Sequence, residues 1–284
     1  MKKKISAILL DMDGVLYHGE KAIPQAVEFM LSIRHLPHVF ITNNPILSPE
    51  EIADRLLRLG FSRPNTEQII TSAEATALWL SQQKENFRYF AVGGEGLHMA
   101  LREYGIEDSQ TADFVVIGEG VGIDYDAISI GINLILKQGA RLVCTNPDHN
   151  VDAYIDGEHF VLPGGGALVA PFSIATEVEP VFIGKPHALL YQIAMDRLGF
   201  GPGHCLMIGD RPDTDIAGAA ALGMHTALVR TGRFAPGTEI PDSLPVPDWD
   251  VDNLAALLSR PQRVELVGAG YFGGTGGVGC RHDL

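Results

Sequence analysis

Short apolar runs of β-forming residues alternate with segments of helical period along most of the chain. The runs at 5–10, 38–41, 88–92, 114–117, 141–144, 181–183, 204–208 and 226–229 predict strands. Many are apolar at successive positions rather than at every second one, as expected of strands covered on both faces of a parallel sheet. Between them the periodicity predicts helices over 26–34, 49–59, 73–82, 96–104, 125–137, 188–198 and 215–222. Alternating strands and helices make an α/β protein with right-handed crossovers. One helix start is plainly marked. In "SPEE", Ser48 takes the cap, Pro49 the first helical position, and Glu51 the place a capping box requires.

Parallel α/β sheets bind ligands beyond the carboxyl ends of their strands, so the polar residues that follow each run matter most. After the first come Asp11 and Asp13, and after the second Thr42, Asn43 and Asn44. Late in the chain come Lys185, then Asp210, Asp213 and Asp215. The middle runs end differently, in Gly93, Gly94 and Gly96, in Gly118–Gly120, and in "TNPD", Thr145–Asp148. The contrast predicts an inserted α/β unit of roughly 100 residues, a usual size for a small domain. The expected division is a first unit of 1–71 plus 179–260, an inserted unit of 72–178, and a glycine-rich tail of 261–284.

Composition narrows the function. The 284 residues are 46% hydrophobic and 20% charged, enough for a sizeable core. A formal charge of −14 disfavours nucleic acid or an anionic membrane surface as partner, since either needs a clustered basic face. The apolar part of "MKKKISAILL" is cut off by Asp11 and Asp13, which disfavours a signal peptide, and no run approaches a membrane span. Cys144, Cys205 and Cys280 lie far apart and are odd in number, which gives neither a disulfide framework nor a zinc spacing. A reduced, cytoplasmic setting is expected.

Asp11 and Asp13 lie two apart at a strand end, where side chains share a face, and Gly14 lets the chain turn. Two carboxylates about 4 Å apart repel by up to ~4 kcal/mol at an effective dielectric near 20 unless a cation or a shared proton intervenes. Asp210 and Asp215 add negative charge. Mg²⁺ takes one or two carboxylates plus substrate phosphate oxygens, and Thr42 and Lys185 suit the remaining phosphoryl oxygens. The set fits phosphoryl transfer with a carboxylate nucleophile, the second aspartate moving the proton.

In order, "DMDGVLYHG", "ITNNP", "GKP" and "GDRPDTDI" resemble the four motifs of the haloacid dehalogenase phosphatase superfamily. "VGGEGLHMAL", "TNPD" and "PGGGALVA" resemble the large α/β cap of its NagD-like and 4-nitrophenylphosphatase-like branch. The likeness implies a Rossmann-like parallel-sheet core carrying an inserted α/β cap, and Mg²⁺-dependent hydrolysis of small phosphomonoesters. It implies Asp11 as nucleophile and metal contact, Asp13 as general acid/base and metal ligand through its carbonyl, and Asp210 as direct metal ligand. Thr42 and Asn43 would bind the phosphoryl group, Lys185 would neutralise Asp11 and the phosphate, and Asp215 and Asn44 would support. Asn146, Asp148 and His149 are the cap residues expected near the leaving group, and a homodimer through the cap is implied.

Pro45 replaces the serine that often follows "TNN", the usual proline soon after "TNPD" is missing, and "VIGEG" at 116–120 replaces a commoner Gly-x-Asp. Asp215 could instead cap the helix that follows it. Phosphotransfer to another acceptor, and binding of a phosphorylated ligand without turnover, are the rival functions. "VELVGAGYFGG" at 264–274 matches a dinucleotide-binding fingerprint, but too few residues follow Gly273 for the helix, second strand and acidic residue that such a site needs.

Overall fold

The computed structural model describes residues 3–155 and 157–258, with the backbone of 264–266. Its first sheet is fully parallel, in the order Trp249–Val251, His225–Val229, Cys205–Gly209, Ala7–Leu10, His38–Thr42, Ile69–Thr71. Ala7–Leu10 is central and buried at every position, which is why its sequence does not alternate. The chain order reverses between Ala7–Leu10 and Cys205–Gly209. That is the switch point where an open parallel sheet leaves a crevice at its carboxyl edge.

A second parallel sheet runs Val181–Phe182, Arg141–Cys144, Phe114–Ile117, Arg88–Val92, Ile106–Glu107. An antiparallel hairpin, Asn150–Ile155 with Glu158–Pro163, projects from this unit. Here the expected boundary needs correcting. The strand at 181 pairs with Arg141–Cys144, so the second unit extends past 178 and its last strand delivers Lys185. A short buried run looks alike in either sheet, and only pairing decides.

One apolar cluster crosses both units, joining Leu9, Ile41 and Ile70 to Tyr89, Val116 and Val143 through Ala73, Ala77 and Leu80 of the helix Ser72–Gln83. Ser48 caps Pro49–Arg58 as expected: its Oγ accepts from Glu51 N at 3.3 Å and its N donates to Glu51 Oε2 at 2.8 Å. Cys144 and Cys205 are buried free thiols. Among the described residues, no helix is long and apolar enough to cross a membrane. The expected tail lies outside the described residues except Val264–Leu266, which pairs in parallel with Lys3–Ile5.

Candidate active site

The carboxyl ends of Ala7–Leu10, His38–Thr42 and Cys205–Gly209 meet the end of Val181–Phe182 at a cavity of ≈ 550 Å³ between the two units. Asp11, Asp13, Thr42, Asn43, Asn44, Asp148, Lys185 and Asp210 line it. Four segments far apart in sequence thus converge as the strand-end argument requires, although the lysine arrives from the second sheet rather than the first.

Lys185 is the electrostatic centre. It is 3% exposed, and its Nζ donates to Asp11 Oδ1 at 2.8 Å and to Asp215 Oδ1 at 2.7 Å. Burial disfavours its charge, but the two carboxylates outweigh burial and hold the ammonium above its usual range. Burial pushes Asp11 upward against the pull of Lys185. Asp210 is raised well above the carboxyl range by burial and by the charges of Asp11 and Asp215. Asp215 is pushed to about 6, chiefly by burial.

Asp11, Asp210 and Asp215 each offer an oxygen within 4.8 Å of the others, and all three are buried. A buried cluster of hard oxygen donors with more negative charge than Lys185 can balance suits a divalent cation such as Mg²⁺. Gly14, at φ 76°, keeps this floor open, since a Cβ there would meet Asp210 Oδ2 at 2.6 Å. Asp13 stands outside this three-carboxylate group, lines the cavity and is exposed. The surrounding walls still desolvate its carboxyl and raise its pKa, opposed by Arg55 and by a 3.4 Å bond from Tyr17 Oη.

Asp215 does not cap a helix. It lies within the π-helical turn Pro212–Ile216, where its Oδ2 accepts from Arg211 N at 3.1 Å while Oδ1 holds Lys185. Asn43 is a junction: its Oδ1 accepts from Lys185 N at 2.7 Å, and its Nδ2 donates to Lys185 O at 3.0 Å and Asp148 Oδ2 at 2.8 Å. Its side chain is spent on placing the lysine. Thr42 Oγ1 accepts from Asn44 N at 3.1 Å, and Asn44 Oδ1 accepts from Ile46 N at 2.8 Å, which folds the loop back.

The cap expectations fare unevenly. Asp148 lines the cavity and holds Arg211 Nη1 at 2.7 Å. Asn146 is buried beneath the site instead, its Nδ2 donating to Asn43 O at 2.9 Å and Glu119 Oε1 at 2.8 Å. His149 also misses the cavity. It is exposed in an adjoining groove with Pro186, His187 and Asp213, on the outer side of the Asp148–Arg211 pair. Sequence reading missed the hairpin altogether, and with it Asp152, Tyr154 and His159, as well as Arg211, Arg233 and the lining role of Glu119. Arg211, inside "GDRPDTDI", was the readable one, because a cation among three acids has partners to find.

Comparison with known proteins agrees with this geometry. Two family models match, a haloacid dehalogenase-like hydrolase over residues 8–107 and a HAD-hydrolase-like one over 182–257. The chain is 36% identical over 256 residues to the 5'-nucleotidase YutF of Bacillus subtilis, covering 89% of this chain and 97% of that protein. A thermostable NPPase double mutant from Geobacillus stearothermophilus superposes with a TM-score of 0.79 at 31% identity, covering 89% of this chain and 98% of that one. A glycerol phosphate phosphatase from Mycobacterium tuberculosis, solved in complex with magnesium, gives 0.77 at 29% identity, covering 89% and 76%. With the switch-point site, the carboxylate cluster and the second α/β unit in place, the chain belongs to the haloacid dehalogenase-like hydrolases, among the NagD-like and 4-nitrophenylphosphatase-like phosphatases.

Proposed function

We propose that the chain hydrolyses small phosphorylated metabolites in the cytoplasm, with Mg²⁺, through an aspartyl-phosphate on Asp11. One observation carries this reading: Asp11 sits on the cavity floor with Lys185 Nζ at 2.8 Å, in a carboxylate cluster with Asp210 and Asp215. The relatives named for nucleotidase, NPPase and glycerol phosphate phosphatase activity support the reaction class, and the magnesium in one of them supports the cofactor.

Mg²⁺ would be held by the carboxylates of Asp11 and Asp210 and the carbonyl of Asp13, with Asp215 behind them, and would supply positive charge against the phosphoryl oxygens. Lys185 keeps Asp11 ionised and lessens its repulsion by the phosphate dianion. A carboxylate oxygen of Asp11 bonds to phosphorus as the ester P–O bond breaks. Asp13, protonated at the start and free of the cluster, donates its proton to the departing alkoxide. The same carboxylate then takes a proton from water as that oxygen bonds to phosphorus, the Asp11–phosphorus bond breaks, and inorganic phosphate leaves.

Asp11→Asn keeps the shape of the site and removes the nucleophile. It is expected to abolish 4-nitrophenyl phosphate turnover in the presence of Mg²⁺ while circular dichroism stays unchanged. Near-normal activity in that variant would falsify the assignment.

A further inference from the structure

If the phosphoryl group sits over Asp11, as the proposed function requires, the leaving group fills the rest of the cavity, beneath the hairpin. This inference rests on that reading. Three cationic side chains line the cavity, and each is already committed to carboxylates. Lys185 lies between Asp11 and Asp215. Arg211 is held by Asp148 at 2.7 Å and Asp213 at 2.6 Å. Arg233 Nε is paired with Asp152 of the hairpin. The second unit contributes the carboxyl groups of Glu119, Asp148 and Asp152 to the lining, and neither a lysine nor an arginine from 72–183.

The remaining wall is uncharged or already bonded. His159 Nε2 lies 2.8 Å from Asp152 Oδ1, and His18 Nε2 donates to Thr231 O at 2.6 Å. The Tyr154 ring is tilted against His18 with centroids 6.2 Å apart, and Val151 and Leu162 complete an apolar face. A neutral leaving group could lie against the rings and apolar side chains and bond the carboxylate oxygens through its hydroxyls. A second anion on the substrate would be desolvated beside like charges, with every cation in the lining already paired.

We propose that this site selects phosphomonoesters whose leaving group is uncharged, such as a polyol, sugar or nucleoside, and rejects those carrying a second carboxylate or phosphate. Asp152 enforces the selection by occupying Arg233, which would otherwise receive an anion.

The test compares kcat/KM, with Mg²⁺, for glycerol 3-phosphate and a nucleoside 5'-monophosphate against 2-phosphoglycolate and fructose 1,6-bisphosphate. The expected result is a preference of about tenfold or more for both neutral leaving groups, and a smaller preference overturns the proposal. In Asp152→Asn the freed guanidinium should shrink that preference severalfold, and in Asp152→Asn/Arg233→Gln it should return. An unmoved ratio in the first variant, or a relaxed one in the second, removes Asp152 and Arg233 from the account. The wild-type comparison stands alone should Asp152→Asn lose its fold. 4-Nitrophenyl phosphate separates the two levels. Its turnover without discrimination sinks only this inference, whereas no turnover of any ester sinks the phosphatase reading beneath it.

Discussion

Glu119 shows what a single buried carboxyl does to this molecule. It is 3% exposed, bonded by Asn146 Nδ2, and pushed to about 7, chiefly by burial. Below the ordinary carboxyl range it is protonated in both the folded and unfolded states, and folding is unaffected. As pH rises from about 4.5 the unfolded chain ionises first, so stability falls, and the whole cost is reached above about 7. Glu119→Gln, which cannot ionise, should therefore gain stability over the wild type on going from pH 5 to pH 8, by on the order of 3 kcal/mol. Urea unfolding at the two pH values measures this, and a pH-independent difference would contradict it. At this scale the sequence was most legible where chemistry is local. Asp11, Asp13, Lys185 and Asp210 each stand within three residues of the end of an apolar run, and the structure gathers all four around the cavity. Glu119 sat in plain view within "VIGEG", but its burial and its bond to Asn146 depend on packing between segments, which no spacing encodes.

Elements whose stability is local were equally readable. The capping box of Pro49–Arg58 stands as "SPEE" predicts, because Ser48 and Glu51 satisfy orphan donors within one turn. Ser48→Ala should cost ~1 kcal/mol, read as a lower thermal midpoint, and the burial of Ser48 makes a null result unexpected. Central strands were legible because they are buried on both faces. The hairpin Asn150–Ile155 with Glu158–Pro163 was not, since exposure along its second strand leaves a mixed pattern without a clean period. Trp249–Val251 and Ile69–Thr71 escaped for a different reason, being edge strands of three residues. The segment expected as a helix over 215–222 is a π-turn, Pro212–Ile216, followed by Ala217–Ala221. A π-turn of this kind is a common device at functional sites, and here it swings Asp215 back to Lys185.

On the scale of the whole molecule the two sheets share an apolar core, and that has a thermodynamic consequence. Each sheet keeps a private apolar cluster on one face, around Leu10 and Phe29 in the first and Ile117 and Phe172 in the second, but the cluster linking Leu9 and Ile41 to Val116 and Val143 covers the opposite face of both. Unfolding should therefore be a single cooperative event. The chain's two tryptophans test this, because Trp79 lies in the bridging helix and Trp249 at the far edge of the first sheet. Trp79→Phe and Trp249→Phe each leave one reporter. Their fluorescence midpoints in urea should coincide with each other and with circular dichroism once each variant's own stability is taken into account, whereas separated midpoints would mean that the sheets melt independently. The two-unit architecture was legible from the contrast between strand ends, yet the boundary fell on the wrong side of Val181–Phe182, because sheet membership is set by long-range pairing. That strand also bears on protein engineering. Lys185 is threaded from one sheet into the charge cluster of the other, so a chimera that exchanges the second unit must place its return junction beyond "GKP". A graft cut at 178 would splice a foreign sheet edge onto the very segment that sets the ammonium's position.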